Sequence, residues 1–498
     1  MNFRKAAPAL LLALVLMLTA CGGGTKDATA ASGTAAPTTA APATSASGEA
    51  VTPQTTAALS FVQTMDLDAE LVKTEHFSFT AGELLYLLSS ISSSLSAYGV
   101  DVSVSLKEQA FPGAADRTWF DVVIEESLSY AEEQLLYCEA ALERGYQIGQ
   151  EDLDELKDMK SVAETNAAKV GWDVETYFQQ MFGTNIRWKD LEGVFRKGFL
   201  SDKIRKELLA TEFTAEELEQ EYQSNLKKYS IVDYYAVNLG DGEAIPDEVV
   251  DAARAALGSA SGTDVYRQAV QNFLLAVKAP ADIEAAGGIG PYTDNYLKSA
   301  VRTGISYTES ELYDWAFADG TKEGDILLIE NEQTKAPYAY CLIRKPYKDT
   351  SVTVDVRHIL FKTGTPYATA EEARAMADKI YGEWVEAGAS EDRFIELCAQ
   401  YSADGNAADG GIYTDVYPGQ MVQTFNDWCF DEARKPGDHG IVDTDFGSHM
   451  MYFVQKNVSW ETAVTNGLLT RDYEALMGAQ EKKTPVTTDE ELAKQINW

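Results

Sequence analysis

Val352-Thr353-Val354-Asp355-Val356-Arg357-His358-Ile359-Leu360-Phe361 alternates like a β-strand, and the segments downstream of it decide the fold. Thr369-Ala370-Glu371-Glu372 reads as a capping box, opening a helix through Ala373, Met376, Ala377, Ile380 and Trp384. Ser390 starts a second helix through Phe394, Leu397, Cys398 and Tyr401. Then come Ser402-Ala403-Asp404, Gly410-Gly411-Ile412, Gly419-Gln420-Met421, Phe425, Phe430, and Thr444-Asp445-Phe446-Gly447-Ser448-His449 ahead of an apolar strand. Strand, two helices and further strands in this order predict one α+β domain over residues 351–457.

Upstream lies a second copy of the same framework. Trp315-Ala316-Phe317 followed by Lys322-Glu323-Gly324-Asp325 parallels Trp428-Cys429-Phe430 followed by Lys435-Pro436-Gly437-Asp438. A Gly-Gly-Ile precedes each, at 287–289 and 410–412, and each ends in an apolar strand closed by a lysine. The duplication predicts a related α+β domain over residues 230–348. Counting from the closing lysines puts Tyr338 at the place of His449. Similar counting sets Tyr235 against His358, Thr308 against Met421 and Leu312 against Phe425. The first domain therefore reads as degenerate: the framework remains and the chemistry-bearing residues do not.

Residues 59–229 have helical periodicity. Thr80-Ala81-Gly82-Glu83 caps one helix, and Phe120, Ile124, Leu128, Ala131, Leu135, Cys138 and Leu142 line another that stops at Gly145. Residues 458–498 form a charged, partly helical tail. The fold class is thus α+β multidomain: a helical N-terminal region and two α+β domains.

The start of the chain bears on compartment. Arg4 and Lys5 precede an apolar run, Ala6 to Leu18, too short for an ordinary membrane span and suited to a secretory leader over residues 1–20. Leu18-Thr19-Ala20-Cys21 has the small residues and the thiol that lipoprotein processing needs, which makes Cys21 a lipidation site and its lipid the membrane anchor. Residues 21–58, rich in Ala, Thr, Ser, Gly and Pro, read as a tether. A formal net charge of −37 argues against nucleic acid as a partner. With four histidines, no HExxH and no phosphate-binding loop, no metal and no cofactor is expected. Cys138, Cys341, Cys398 and Cys429 lack CxxC spacing and sit in apolar patterns, as buried free thiols do.

The ordered series from Arg357-His358-Ile359-Leu360 to Phe446-Gly447-Ser448-His449 resembles the parvulin family of prolyl isomerases, a branch of the FKBP-like superfold. With the lipobox and the helical region, the chain is similar to PrsA-like foldases and, more widely, SurA-like chaperones. The resemblance implies that Met421 and Phe425 line a proline pocket with Ile412 as a third wall, and that Phe430 and Phe446 also contact substrate. It implies that His358 and His449 lie side by side, bonded to one another and to Thr444, with Asp404 beside the rotating carbonyl. One departure is a loop between Ile412 and Met421 that counts one residue longer than the family's.

The implied chemistry needs neither nucleophile nor cofactor. Amide resonance sets a barrier of roughly 18–20 kcal/mol, and unaided X-Pro exchange takes tens to hundreds of seconds. A catalyst must hold the proline ring and favour the twisted amide over the planar one. The expected partners are unfolded exported polypeptides containing X-Pro bonds. The alternatives are a non-catalytic holdase with a vestigial isomerase site, or a solute-binding lipoprotein, which would need two large α/β lobes.

Overall fold

The computed structural model describes residues 58–498 except 96, 97, 113, 115, 241–244, 259–260 and 332–336. The leader, Cys21 and the tether as far as residue 57 lie outside the described residues. The chain divides into two compact units. One takes the N-terminal region to Glu212 with Val354–Gln455 and Leu469–Trp498; the other takes Phe213–Thr353 with Lys456–Leu468.

The N-terminal region pairs strands β1 (Glu70–Lys73) and β2 (Ser78–Thr80) and packs the helices Ala81–Leu95, Trp119–Glu143, Gln150–Lys169, Val174–Phe182 and Trp188–Leu209. The first capping box forms as its spacing requires. The Thr80 amide donates to Glu83 Oε2 at 2.8 Å, and the Glu83 amide donates to Thr80 Oγ1 at 3.3 Å. Leu84, Leu88, Phe120, Ile124, Ala131 and Leu135 are buried in one core, which explains the three-and-four spacing.

The first α+β domain is a four-stranded sheet of β3 (Ile231–Asn238), β4 (Val301–Ser306), β5 (Ile326–Glu330) and β6 (Pro337–Tyr347), in the order β4-β3-β6-β5. The second uses β7 (Val352–Lys362), β8 (Ile412–Val416), β9 (His439–Thr444) and β10 (Gly447–Val458), in the order β8-β7-β10-β9. Second strand, first, fourth, third is the order in both sheets. The shared Gly-Asp also does one job twice. Gly324 and Gly437 donate to Leu342 O and Phe453 O at 2.7 and 2.9 Å, and Asp325 O and Asp438 O accept from the same residues' amides.

Two details of the repeat alignment are corrected by register. Gly410-Gly411-Ile412 leads directly into β8, whereas Gly287-Gly288 precedes the helix Ile289–Ala300, one of four helices among the described residues between β3 and β4; the two Gly-Gly-Ile runs are not equivalent. Tyr235 does not stand at the place of His358. It stacks on Tyr266 at 5.9 Å on the helix side of its sheet. Tyr234 pairs with Arg302 as Val356 pairs with Tyr413, which makes Ala236 the counterpart of His358. A one-residue slip in a strand exchanges its faces.

β11 (Thr487–Thr488) completes the outline: it pairs antiparallel with β1, next to the end of the chain. Ala493, Ile496 and Trp498 are buried in the N-terminal core. The Trp498 ring stacks on Phe61 at 5.2 Å, and its Nε1 donates to Ser92 Oγ at 2.8 Å. The tail that composition sets apart thus belongs structurally to the N-terminal region. Similarly the Ala215–Ser224 helix, read as the end of the helical region, falls in the unit of the first α+β domain.

Each face of the second sheet has its own core. Ile359, Phe361 and Met450 face the helices Ala370–Glu386 and Glu391–Tyr401 and bury Ala373, Ala377, Ile380, Trp384 and Phe394. Val354, Val356, Val416, Met451 and Phe453 face the other way, against Phe425 and Cys429 of the short Gln423–Cys429 helix. It is on this second face that the candidate site lies. Cys138, Cys341, Cys398 and Cys429 are all buried and unpaired.

Candidate active site

Alternation along β7 puts His358 on the same face as Val356, while β10 brings in His449 from 91 residues further along the chain. The two rings are 2 % and 5 % exposed, stacked with centroids 5.3 Å apart, and their Nδ1 atoms approach to 3.1 Å. His449 Nε2 lies 2.8 Å from Thr444 Oγ1, at the end of β9. On the other side, His358 Nε2 lies 3.4 Å from Asp404 Oδ2, inside ion-pair range but longer than a direct hydrogen bond. Phe425 meets both imidazoles edge-on at 5.5 Å.

Close backbone approach builds this arrangement. Gly411 has φ +69, and a Cβ there would fall 2.3 Å from His358 O, so glycine is needed for β8 to lie against β7. Gly447 has φ +142, and its Cβ would meet Phe361 O at 2.2 Å. Arg357, pointing to the helix side, donates to Glu391 Oε1 at 2.8 Å and Gly410 O at 3.0 Å and anchors the turn before β8.

The electrostatics give the row of groups a direction. The His358 ring, and then the Tyr413 hydroxyl, hold the Asp404 carboxyl down at about 2 against the opposing effect of burial. Burial, followed by the neighbouring His358, pushes His449 down to about 4. Near pH 7 Asp404 is therefore an anion and an acceptor only. With its proton on Nε2, His358 would accept at Nδ1 from His449 Nδ1–H, and His449 Nε2 would then accept from the Thr444 hydroxyl. A hydrogen-bonded chain of this kind orients groups and needs no proton transfer.

The residues singled out from the sequence separate into those that converge and those that do not. His358, His449, Thr444 and Asp404 come together. Phe425 is buried between the histidines and the apolar core, and Met421 and Phe430 pack half-buried on that core, as a pocket wall does. Phe446 does not join them. It sits in the β9–β10 turn at 56 % exposure, and its amide donates to Thr444 Oγ1 at 3.1 Å.

Ile412 is a correction. It pairs across the sheet with Arg357 and so lies on the helix side, away from the histidines. Tyr413 takes its place: its ring stacks on His358 at 5.0 Å and its hydroxyl donates to Asp404 Oδ2 at 2.8 Å. Sequence reasoning missed it. Strand alternation from Gly411 carried the signal, once Gly411 is known to lie against His358. Among the described residues no cluster of three or more His, Cys, Asp or Glu is placed to hold a metal ion.

The second α+β domain falls within a match to a known family. The family model of the PPIC-type PPIase domain matches residues 340–457. The chain is 26% identical over 135 residues to foldase protein PrsA 1 of Listeria monocytogenes, covering 27% of this chain and 41% of that one. It is 30% identical over 111 residues to foldase protein PrsA 1 of Listeria innocua, covering 22% and 33%. The matches span less than half of either relative's length.

Among solved structures, a PpiC-type peptidyl-prolyl cis-trans isomerase domain aligns at 20% identity over 22% of this chain and 94% of that one, TM-score 0.19. PrsA from Bacillus subtilis aligns at 14% identity over 78% and 98%, TM-score 0.24. The region that carries His358, Asp404, Thr444 and His449 lies wholly inside the family match, and the chain therefore contains a PPIC-type PPIase domain as the second of its two α+β domains.

Proposed function

We propose that this chain is a foldase that isomerises X-Pro bonds in unfolded exported polypeptides, working outside the cytoplasm on a lipid anchor at Cys21. The observation that carries the reading is the series Asp404–His358–His449–Thr444, its two histidines buried and its ends half-buried, beside a half-exposed apolar shelf of Tyr413, Met421 and Phe430 over Phe425. Rings on the shelf hold the proline. The planar amide is the more polar form, because resonance puts negative charge on its oxygen; twisting removes that charge. An ionised Asp404 near the carbonyl oxygen, with little water, disfavours the planar form more than the twisted one, and this difference is catalysis. The His358 ring acts through Asp404 by helping to keep its carboxyl ionised. The first α+β domain is non-catalytic in this scheme.

The N-terminal leader supports the location, and among the described residues no helix is long and apolar enough to cross a membrane. The test is cis/trans exchange of a short X-Pro peptide by the full chain, with Cys21→Ser examined in cells. Accelerated exchange that Asp404→Ala strongly lowers, and an unprocessed Cys21→Ser precursor, are the expected results. A wild-type chain that suppresses aggregation of unfolded protein without accelerating exchange would make it a holdase instead.

A further inference from the structure

We propose that Tyr413 is a positioning residue of this site: its hydroxyl holds the Asp404 carboxylate in the orientation that turnover needs while its ring braces His358. The proposal rests on the isomerase reading and names a residue outside the motif that suggested it. Asp404 belongs to a loop rather than to a strand or helix, just after the Glu391–Tyr401 helix. Its backbone is tied down, since the Asp404 amide donates to Ser402 Oγ at 3.3 Å and the Ala403 amide to Leu360 O at 2.9 Å. Its side chain is 23 % exposed, and at 3.4 Å His358 Nε2 is too far to fix it by a direct hydrogen bond. The Tyr413 hydroxyl, at 2.8 Å, is the closest side-chain donor it has, aided by the Asn406 backbone.

Tyr413 is itself well placed to hold a position. It is paired in register with Val356, and just beyond it β8 bulges: Asp415 takes φ +52 and its amide donates to Asp355 Oδ1 at 2.8 Å. The bulge and the sheet fix the tyrosine's backbone on both sides, and the near-parallel stack on His358, 18° between planes, fixes its ring. One side chain thus touches both partners of the long His358–Asp404 contact. The corresponding position in the first α+β domain is Arg302, which is exposed.

The experiment uses the full chain as wild type, Tyr413→Phe, Asp404→Asn and the double variant. Tyr413→Phe keeps the ring and removes one bond to a charged acceptor. It should lower kcat about tenfold, with KM and melting temperature changed little, that being the scale of such a bond. In the double variant the tyrosine substitution should add nothing to the loss caused by Asp404→Asn. The groups facing Asp404 are His358 from β7 and Tyr413 from β8, with His449 of β10 behind His358. Losing a donor to the ionised form raises the carboxyl's titration point, so the acid limb of the pH profile and the Asp404 13C-carboxyl titration should both move to higher pH in Tyr413→Phe.

Wild-type kinetics together with an unmoved titration overturn the proposal, as does an equal loss of rate when Asp404 is already asparagine. A wild-type chain without isomerase activity overturns the functional reading and the kinetic role together. The carboxyl titration then decides separately whether Tyr413 holds Asp404, and an unmoved curve refutes that as well.

Discussion

The face of the second α+β sheet that holds two histidines, a carboxylate and a threonine corresponds, in the first, to a face packed with tyrosines. Tyr234 meets Tyr313 and Tyr340 at 6.4 and 5.9 Å, and Tyr338, the counterpart of His449, stacks on Tyr340 at 6.1 Å. Leu312 and Ala316 stand where Phe425 and Cys429 stand, equally buried, and Trp-x-Phe closes the short helix in both. What the two domains share are residues that set strand order and close the sheet. What differs is the set of side chains on one face. A sheet tolerates this because alternation lets one face change while the other, with its helices, keeps the core.

The largest expected effect tests whether the chemistry belongs to one domain alone. In the full chain Asp404→Ala should lower peptide exchange by roughly 10²–10³-fold, the scale of losing one preorganised charge. Tyr338→Phe in the first domain should leave it unchanged. A residual rate in Asp404→Ala that falls further when Tyr338 is also replaced would break the contrast.

A second effect is on stability. His449 has its folded pKa depressed to about 4 from 6.5, so the unfolded chain binds the proton more readily between those values. Stability from this residue is full above about pH 6.5 and is lost as pH falls through 4. The same sign holds for Asp404, depressed from 3.8 to about 2, with loss between those values. The His449 step should cost the second domain on the order of 2–3 kcal/mol. Hydrogen-exchange protection factors, corrected for the intrinsic pH dependence of amide exchange, should fall between pH 6.5 and 4 at Met450 and Phe453, and at Ala339 and Leu342 of the first domain much less. Parallel acid dependence at both pairs would show that the imidazole is not the cause.

The smallest effect concerns the residue before proline. Asp404 is ionised and Asp443 and Asp445 flank Thr444, so a phosphorylated residue, with about −1.5 to −2 charges, should lower kcat/KM several-fold. Competition between matched phosphorylated and unmodified peptides measures it. Preference for the phosphopeptide would require a cationic surface that Lys362 alone does not provide.

How much was legible depended on distance along the chain. The ordering Asp404, Thr444, His449 after His358 pointed to one site because each residue sits in a local motif. Ile412 and Tyr413 are neighbours with equal claims until β8 is paired with β7. Only the register, with Ile412 opposite Arg357 and Tyr413 opposite Val356, tells which faces the histidines. The Gly-Gly-Ile at 287–289 shows the converse hazard: identical letters begin a helix there and a strand at 412.

Whatever is settled within a few residues could be read from the order of amino acids. Thr80 with Glu83 caps its helix as written. Thr369 caps too, although Glu372 turns to the Ala368 amide instead of closing the box. The strand pattern of β7 and the duplication belong to the same class. Which residues meet was decided by the three-dimensional packing. It put Trp498 on Phe61, carried Tyr235 to the far side of its sheet, and set Tyr413 between His358 and Asp404. The reason is physical. Caps and periodicity are bonds between near neighbours, whereas the face a strand residue presents depends on pairing with a distant strand, where a shift of one residue reverses every side chain.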